Sequence, residues 1–221
     1  DFINRDLVNS VIKTGKPFFI STGMRTELEI VNRLGELKSQ TEKFIPLHCN
    51  STYPTPYADV QLNFMNTIRK NANGIVGYSG HEQGYEIPLA AVALGAKVIE
   101  KHFTLDRSLE GNDHKVSLLP AEFKEMVSSI REVETSMGRA MERQLTQGEM
   151  INRENLAKSL TATCNIKNGT LITQDLVEIK SPGQGLQPDR MDDLVGRVCQ
   201  REMVKGDFFF ASDLKNKNEE P

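Results

Sequence analysis

Two histidines in this chain follow apolar runs and have the side chains that a metal site needs. His81 and His102 end two such runs, 21 residues apart, in a chain with four histidines in all. Neutral imidazole is the commonest side-chain nitrogen ligand for Mn, Fe or Zn, and adjacent parallel strands can bring two strand ends together. Two imidazoles without a third protein ligand indicate an open site, suited to a metal shared with substrate oxygens. The alternative is that each histidine is a hydrogen-bonded residue of the core.

A polar residue stands two positions before each of these histidines. Ser79 precedes His81 and Glu100 precedes His102 with the same spacing. In a strand, residues two apart point to the same side. The repeated spacing therefore predicts that all four side chains face one cavity.

Two further segments carry polar groups where a strand should end. Asn50 and Tyr53 lie in a run that starts after an apolar segment and contains two prolines. Amide, hydroxyl and phenol groups bind phosphate or sugar hydroxyls without titrating, but Asn50 is equally suited to capping the next element. Asp113 lies in a polar loop, where it is either solvated or accepts hydrogen bonds from sugar hydroxyls or acts in proton transfer.

The elements that must position these residues alternate between short apolar runs and amphipathic segments. We predict strands at residues 16–21, 44–48, 74–78 and 97–101, and helices at 26–39, 60–70, 85–94 and 120–137. This alternation favours successive βα units on a parallel sheet, with polar residues collecting where the strands end. Four units make either a small open sheet or the second half of an eight-stranded barrel.

The rest of the chain, from residue 139 onwards, differs in composition and in the spacing of its apolar runs. Residues 139–158 are polar and charged and read as an irregular linker. Residues 159–214 have short apolar runs between Lys-Asn-Gly, Pro-Gly-Gln-Gly and Lys-Gly-Asp turns, which is typical of a small, mostly β domain. We therefore predict an α/β domain over residues 1–138, the linker, the small domain, and a polar tail at 215–221.

Composition excludes several classes of protein. The net charge is −3 with no basic block, so nothing in the 221 residues indicates a nucleic-acid partner. The apolar stretches are too short to span a bilayer and no signal peptide is visible, which argues against a membrane protein. Three cysteines without a CxxC spacing suggest reduced thiols in a cytoplasmic protein. Because the chain starts at Asp1 without a methionine, we expect it to be a fragment.

Several long motifs, in this order, resemble the sialic acid synthase family. They read HCNSTYPTP, GYSGHE, AAVALGAKVIEKHFTLDR and GNDHKVSL, while the tail segment IKNGTLITQDLVEIKSPGQGL resembles the type III antifreeze-like (SAF) domain. The resemblance implies an α/β fold, the second half of a (β/α)8 TIM-type barrel followed by a SAF domain. It also implies condensation of phosphoenolpyruvate with an N-acylated mannosamine or related amino sugar, with release of phosphate.

The resemblance also implies roles for single residues. The metal ligands would be His81 and His102, holding a divalent cation for which Mn²⁺ is expected and Mg²⁺ or Co²⁺ could substitute. Catalytic roles would fall to two carboxylates, Glu100 and Asp1, the latter standing where the family carries an acidic residue after its fourth strand. Substrate-binding positions would be Asn50, Tyr53, Ser79 and Asp113.

Two departures from the family pattern limit this comparison. The family's phosphoenolpyruvate-binding lysines lie in the first half of the barrel, outside these 221 residues, so we expect the fragment alone to be unstable and inactive. Ser181 stands where sialic acid synthases commonly have an arginine that reaches the partner subunit's sugar in a domain-swapped homodimer. A legionaminate or pseudaminate synthase with a diacetamido-hexose acceptor is therefore a second hypothesis. Two rival hypotheses are a metal-dependent aldolase and an inactive sugar-binding relic.

Overall fold

The chain divides into two compact units, Asp1–Ala140 and Met141–Pro221. The computed structural model describes residues 1–139 and 142–213. The predicted polar tail at residues 215–221 lies outside the described residues. Each unit has a hydrophobic core of its own.

The first unit is built on a four-stranded parallel sheet in the order β1-β2-β3-β4. The strands are β1 Phe18–Ser21, β2 Phe44–Cys49, β3 Gly77–Gly80 and β4 Ile99–Lys101. Each consecutive pair is parallel, as connections through helices require. The curled parallel sheet of a half-barrel confirms the predicted α/β fold.

Helices connect and cover these strands. In chain order they are α1 Arg5–Lys13, α2 Glu27–Gln40, α3 Tyr57–Val60, α4 Met65–Asn71, α5 Glu86–Ala93, α6 Asn112–Val116 and α7 Pro120–Met137. The start of α2 is fixed by a capping box, in which the side chains of Thr26 and Glu29 bond each other's backbone N–H. Pro120 begins α7 and Gly138 ends it, as predicted. None of the described helices combines the length and apolarity needed to cross a membrane.

Three features of the helices in the first unit differ from the sequence prediction, and the first is that α1 was not predicted. The helix expected at residues 60–70 is broken into α3, a short 3₁₀ turn and α4, because Gln61 has a left-handed backbone with φ of 50°. The short helix α6 lies in what was expected to be a polar loop. Its position matters because it carries Asp113.

The core of the first unit lies between the sheet and its helices. Leu34 and Leu37 of α2 and Ile68 of α4 are fully buried, and full burial of such a side chain stabilises the fold by about 1.5–3 kcal/mol. The other face of the sheet is less covered: Phe19 is 58% exposed and lies beside Ile45, its partner on β2.

The prediction of an irregular linker is wrong for part of its length. Residues Gln147–Leu156 form helix α8, which begins at a capping box between Thr146 and Glu149. This S/T-x-x-E pattern is a helix-start signal that outweighs the weak apolar face of the segment.

The second unit contains a small antiparallel sheet, as predicted for a mostly β domain. Strand β5 Ser159–Ala162 pairs with β6 Val177–Lys180, and α9 Met191–Leu194 follows. Its core consists largely of fully buried apolar side chains, among them Leu160, Ile172, Leu194 and Phe209.

One buried histidine gives the first unit a pH-dependent stability. His48 of β2 is buried and its Nε2 donates to the Val60 carbonyl oxygen at 2.6 Å. Burial lowers the pKa of His48, an effect that the Val60 hydrogen bond opposes. Below about pH 6.5 the unfolded chain takes up a proton on His48 that the folded chain does not, so stability falls as the pH falls.

We expect His48→Gln to weaken this pH dependence, because the glutamine amide keeps a donor for Val60 but does not titrate. In urea unfolding of the full-length protein at pH 7 and pH 5.5, the wild type should lose on the order of 1 kcal/mol more than the variant. Equal losses in the two proteins would contradict the assignment.

Candidate active site

The register of β3 and β4 brings the two candidate metal ligands together. Ser79 is paired with Glu100 and Gly80 with Lys101, so His81 and His102 are the first residues after two neighbouring strands. Their ring centroids are 5.1 Å apart, with the planes nearly perpendicular. The predicted meeting of the two histidines at the carboxyl ends of the strands is therefore present in the structure.

Three hydrogen bonds hold His81 in place. Its Nδ1 donates to the Asn50 carbonyl oxygen at 2.6 Å, and its own carbonyl oxygen accepts from the Thr55 backbone N–H at 3.1 Å. Because Nδ1 carries the hydrogen, Nε2 has the lone pair, and it accepts from the Tyr53 hydroxyl at 3.1 Å. Burial lowers the pKa of His81, against the opposing effect of the Asn50 carbonyl. A neutral ring with a free lone pair is the form that binds a metal.

His102 is held from the side of α6. Its carbonyl oxygen accepts from the Leu118 backbone N–H at 2.8 Å, and its Nδ1 is 3.9 Å from a carboxylate oxygen of Asp113. The Asp113 side chain is 71% exposed, so it stands at the rim of the site. At 3.9 Å the two groups are close but not hydrogen-bonded, whereas a carboxylate that orients a ligating histidine accepts a hydrogen bond from it.

Ser79 and Glu100 form a direct pair beside the histidines. The Ser79 hydroxyl, buried in the sheet, donates to Glu100 Oε1 at 2.7 Å. Ser79 and Glu100, each two positions before a histidine, are thus in contact, as their spacing predicts. Because the Ser79 hydroxyl donates its hydrogen to Glu100, it can only accept a hydrogen bond from a substrate while that bond is present.

Tyr53 closes the cluster from above the rings. Its ring centroid is 4.2 Å from that of His81 and 5.6 Å from that of His102. The residue is 41% exposed, which leaves one edge of the phenol open to solvent. A group in this position can bind a substrate that enters over the histidines.

Asn50 is placed differently from the expectation. Its backbone carbonyl orients His81, but its side chain holds the loop: Oδ1 accepts from the Thr52 N–H at 3.0 Å and Nδ2 donates to the Asp59 carbonyl at 3.0 Å. The residue lines a cleft of about 630 Å³ whose lining includes neither His81 nor His102. The side chain thus stabilises its own loop, and its role in phosphate binding stays a prediction.

Asp1 is not brought to this cluster by a contact. It is exposed, and its backbone carbonyl accepts from the Asn4 N–H at 2.9 Å. Over residues 1–139, no hydrogen bond or ion pair links its side chain to His81, His102 or Glu100. Its catalytic role also stays a prediction.

Sequence reasoning missed a buried ion pair directly behind the histidines. Glu82 follows His81, and Lys101 precedes His102. The Lys101 ammonium lies 3.0 Å from Glu82 Oε1 and also donates to the Glu82 backbone carbonyl, and both side chains are fully buried. Tyr78 donates to the other carboxylate oxygen at 2.6 Å. Burial, together with the Glu82 carboxylate, raises the pKa of Tyr78, so the phenol keeps its proton.

Gly80 is required by this buried pair. A Cβ added at Gly80 would stand 2.7 Å from Glu82 Oε1 and 2.9 Å from Cε1 of the Tyr78 ring. The carboxylate and the ring therefore occupy the space that any other side chain would need. The sequence signal that could have revealed this ion pair is the opposite charge of Glu82, directly after His81, and Lys101, directly before His102.

The residues at this site fit a metal held by two protein ligands. Among residues 1–139 and 142–213, no cluster of three or more His, Cys, Asp or Glu side chains could enclose a metal ion. Cys49 is nearby, with its sulfur 3.8 Å from His81 Nδ1, but burial raises the pKa of this thiol and disfavours the thiolate that would bind. His81 Nε2 and the His102 ring therefore form an open set of two donors.

Comparison with known proteins matches each of the two units to a protein family. Residues 1–142 match the NeuB family and residues 157–215 match the SAF domain. The chain is 39% identical to human N-acetylneuraminate-9-phosphate synthase over 89% of its residues, which is 55% of that protein. It is 35% identical to the N,N'-diacetyllegionaminic acid synthase of Campylobacter jejuni over 91% of its residues, which is 61% of that protein. The chain thus spans less than two thirds of the length of these relatives.

A solved structure gives the same result for the fold. The N-acetylneuraminic acid synthetase of Leptospira borgpetersenii, in complex with citrate, superposes with a TM-score of 0.62 at 34% identity. The match covers 71% of this chain and 55% of that one. The parallel half-barrel sheet, the paired strand-end histidines and the two matched regions lead to one conclusion: the chain belongs to the NeuB family and carries a SAF domain.

Proposed function

We propose that the full-length protein containing this chain condenses phosphoenolpyruvate with an N-acylated mannosamine-type sugar, giving a sialic-acid-like nonulosonate and phosphate. The observation that carries the proposal is the cluster of His81, His102, Ser79 and Glu100 at the ends of β3 and β4. The names of the matched relatives, which are synthases of N-acetylneuraminate phosphate and diacetyllegionaminate, support the same reaction class.

A second acceptor class is favoured by one residue of the SAF domain. Ser181 has no guanidinium to offer at the position where the family resemblance places an arginine next to the sugar. A diacetamido-hexose, as in legionaminate or pseudaminate synthesis, is therefore the second candidate acceptor.

The proposed cofactor is a divalent cation, Mn²⁺ by preference, held by His81 Nε2 and the His102 imidazole. When bound, it would supply a Lewis acid for the aldehyde oxygen of the open-chain sugar. The hydrogen bond from Nδ1 to the Asn50 carbonyl fixes the tautomer that this binding needs. The Tyr53 hydroxyl, which now donates to Nε2, is then available for a hydroxyl of the sugar.

The bond changes of the reaction define what the remaining residues must do. C3 of the enolpyruvate attacks the aldehyde carbon, water attacks C2, and the tetrahedral intermediate expels phosphate. Glu100, which accepts a hydrogen bond from Ser79, is proposed to orient the water and accept its proton. Asp113, at the rim, is proposed to accept hydrogen bonds from sugar hydroxyls. Asp1 is proposed as a second carboxylate for proton transfer, on the family resemblance.

The proposal concerns the whole protein. Phe19 is more than half exposed on β1, a strand at the edge of the sheet, and we expect the 221 residues by themselves to be unstable and inactive. A domain-swapped homodimer in the cytoplasm is part of the proposal and rests on the family resemblance and the unpaired cysteines.

The direct test is phosphate release by the full-length protein. We expect release only with phosphoenolpyruvate, a divalent cation and an acceptor together, because the enolpyruvate needs an activated aldehyde to attack. The assay should compare N-acetylmannosamine, its 6-phosphate and diacetamido-hexoses as acceptors, before and after EDTA treatment and Mn²⁺ addition. Release that is undiminished by EDTA, or that needs no acceptor, would contradict the proposal.

A further inference from the structure

We propose that Lys101 and Glu82 are positioning residues that set His81 opposite His102. Within the described residues no hydrogen bond or ion pair joins the side chains of Lys101 and Glu82 to either histidine ring. Lys101 lies on the side of the sheet opposite to its neighbour Glu100, since strand residues alternate in direction. Its effect would be exerted through the backbone that carries the histidines.

The first argument is where the backbone pairing ends. Gly80 and Lys101 are the last paired residues of β3 and β4, so His81 and Glu82 have already left the ladder. The Lys101 ammonium donates to the Glu82 backbone carbonyl at this point. This hydrogen bond takes the place of a ladder bond, one residue beyond His81.

The second argument is the rigidity of the pair. Both charged side chains have no exposed surface, and Tyr78 donates to the Glu82 oxygen that Lys101 does not contact. Gly80 has no side chain, which lets the carboxylate lie against the strand. A buried carboxylate that accepts hydrogen bonds at both oxygens has few alternative positions, so the strand end that it holds is also restrained.

The spacing of the two histidines depends on this restraint because their hydrogen bonds lead to different loops, and none within the described residues joins one ring to the other. His81 is bonded to the loop of Asn50 and Tyr53, and His102 has a carboxylate at 3.9 Å. Relative placement of the two strand ends therefore sets the distance between the rings. This inference rests on the proposed function only in so far as the pair of histidines binds a metal.

The test compares Lys101→Met, the double variant Glu82→Gln/Lys101→Met and the control Arg131→Met in the full-length protein. The double variant removes both charges and so tests the tether without leaving an unpaired buried charge. Arg131 belongs to an exposed ion pair with Glu134 on α7. We expect the double variant to remain folded by circular dichroism but to bind Mn²⁺ about 10- to 100-fold more weakly, measured by electron paramagnetic resonance. The control should bind as the wild type does.

A second measurement does not need a metal. The Nδ1–H of His81, bonded to the Asn50 carbonyl, should give a protected proton signal that His81→Ala removes. In the double variant we expect this proton to exchange at least about tenfold faster, because the strand end opens more often.

Wild-type Mn²⁺ affinity or unchanged proton exchange in the folded double variant would each overturn the positioning role. A wild-type protein that binds no Mn²⁺ would refute the metal part of the proposed function. The exchange measurement would then decide the positioning role by itself.

Discussion

On the proposed function, His81→Ala is expected to lower kcat/KM for condensation at least about a hundredfold in the full-length protein. The Lewis acid that His81 would help to hold contributes several kcal/mol to the barrier reduction, and each 1.36 kcal/mol changes the rate about tenfold. His81 offers one lone pair to the site, since Nδ1 is bonded to Asn50. The measurement is phosphate release at saturating Mn²⁺, with Mn²⁺ affinity determined in parallel.

The control for this loss is His48→Gln. His48 is also buried in the sheet, but its Nε2 is bonded to Val60 and its ring lies against Phe64 and Tyr78. This variant should keep most of the activity. Equal activity of His81→Ala and the wild type would eliminate the metal assignment.

Lys101→Met is expected to lower the free energy of unfolding by about 3–5 kcal/mol. The substitution leaves the Glu82 carboxylate buried without its counter-ion, which is far costlier than removing both members of a pair. The double variant Glu82→Gln/Lys101→Met should recover most of this loss, because the glutamine still accepts from Tyr78. Urea unfolding of the full-length proteins measures both effects.

The exposed pair of Arg131 and Glu134 provides the comparison for stability. Arg131→Met should change the free energy of unfolding by no more than about 1 kcal/mol, since both side chains are more than half exposed. A Lys101→Met variant as stable as this control would mean that the buried pair does not contribute as its geometry indicates.

The sequence predicted the frame of the site because the strand period of two and the parallel pairing of neighbouring strands determine it. Ser79 and His81, and Glu100 and His102, share a strand period of two, and the parallel register then places Ser79 beside Glu100. The strands could be located because a buried parallel strand is a short apolar segment, and the polar residues on either side of it mark where it ends.

The parts that the sequence did not predict depend on contacts between distant residues. Whether the Asn50 amide faces a substrate or its own loop depends on the Asp59 carbonyl nine positions away. The break at Gln61 depends on a backbone angle that asparagine or glycine would have signalled more clearly. Glu82 and Lys101 were missed because charged residues beside histidines look like solvated groups until the strands are paired.

Because Gly80 has no side chain, the Glu82 carboxylate can lie against the strand and reach Lys101. The segments at residues 80–82 and 101–102 therefore depend on each other. A strand end that keeps its histidine but acquires a larger residue at position 80 would have to expel the Glu82 carboxylate from its place against the strand. Anyone transplanting this histidine pair onto another barrel would therefore need to move Gly80-His81-Glu82 and Lys101-His102 together.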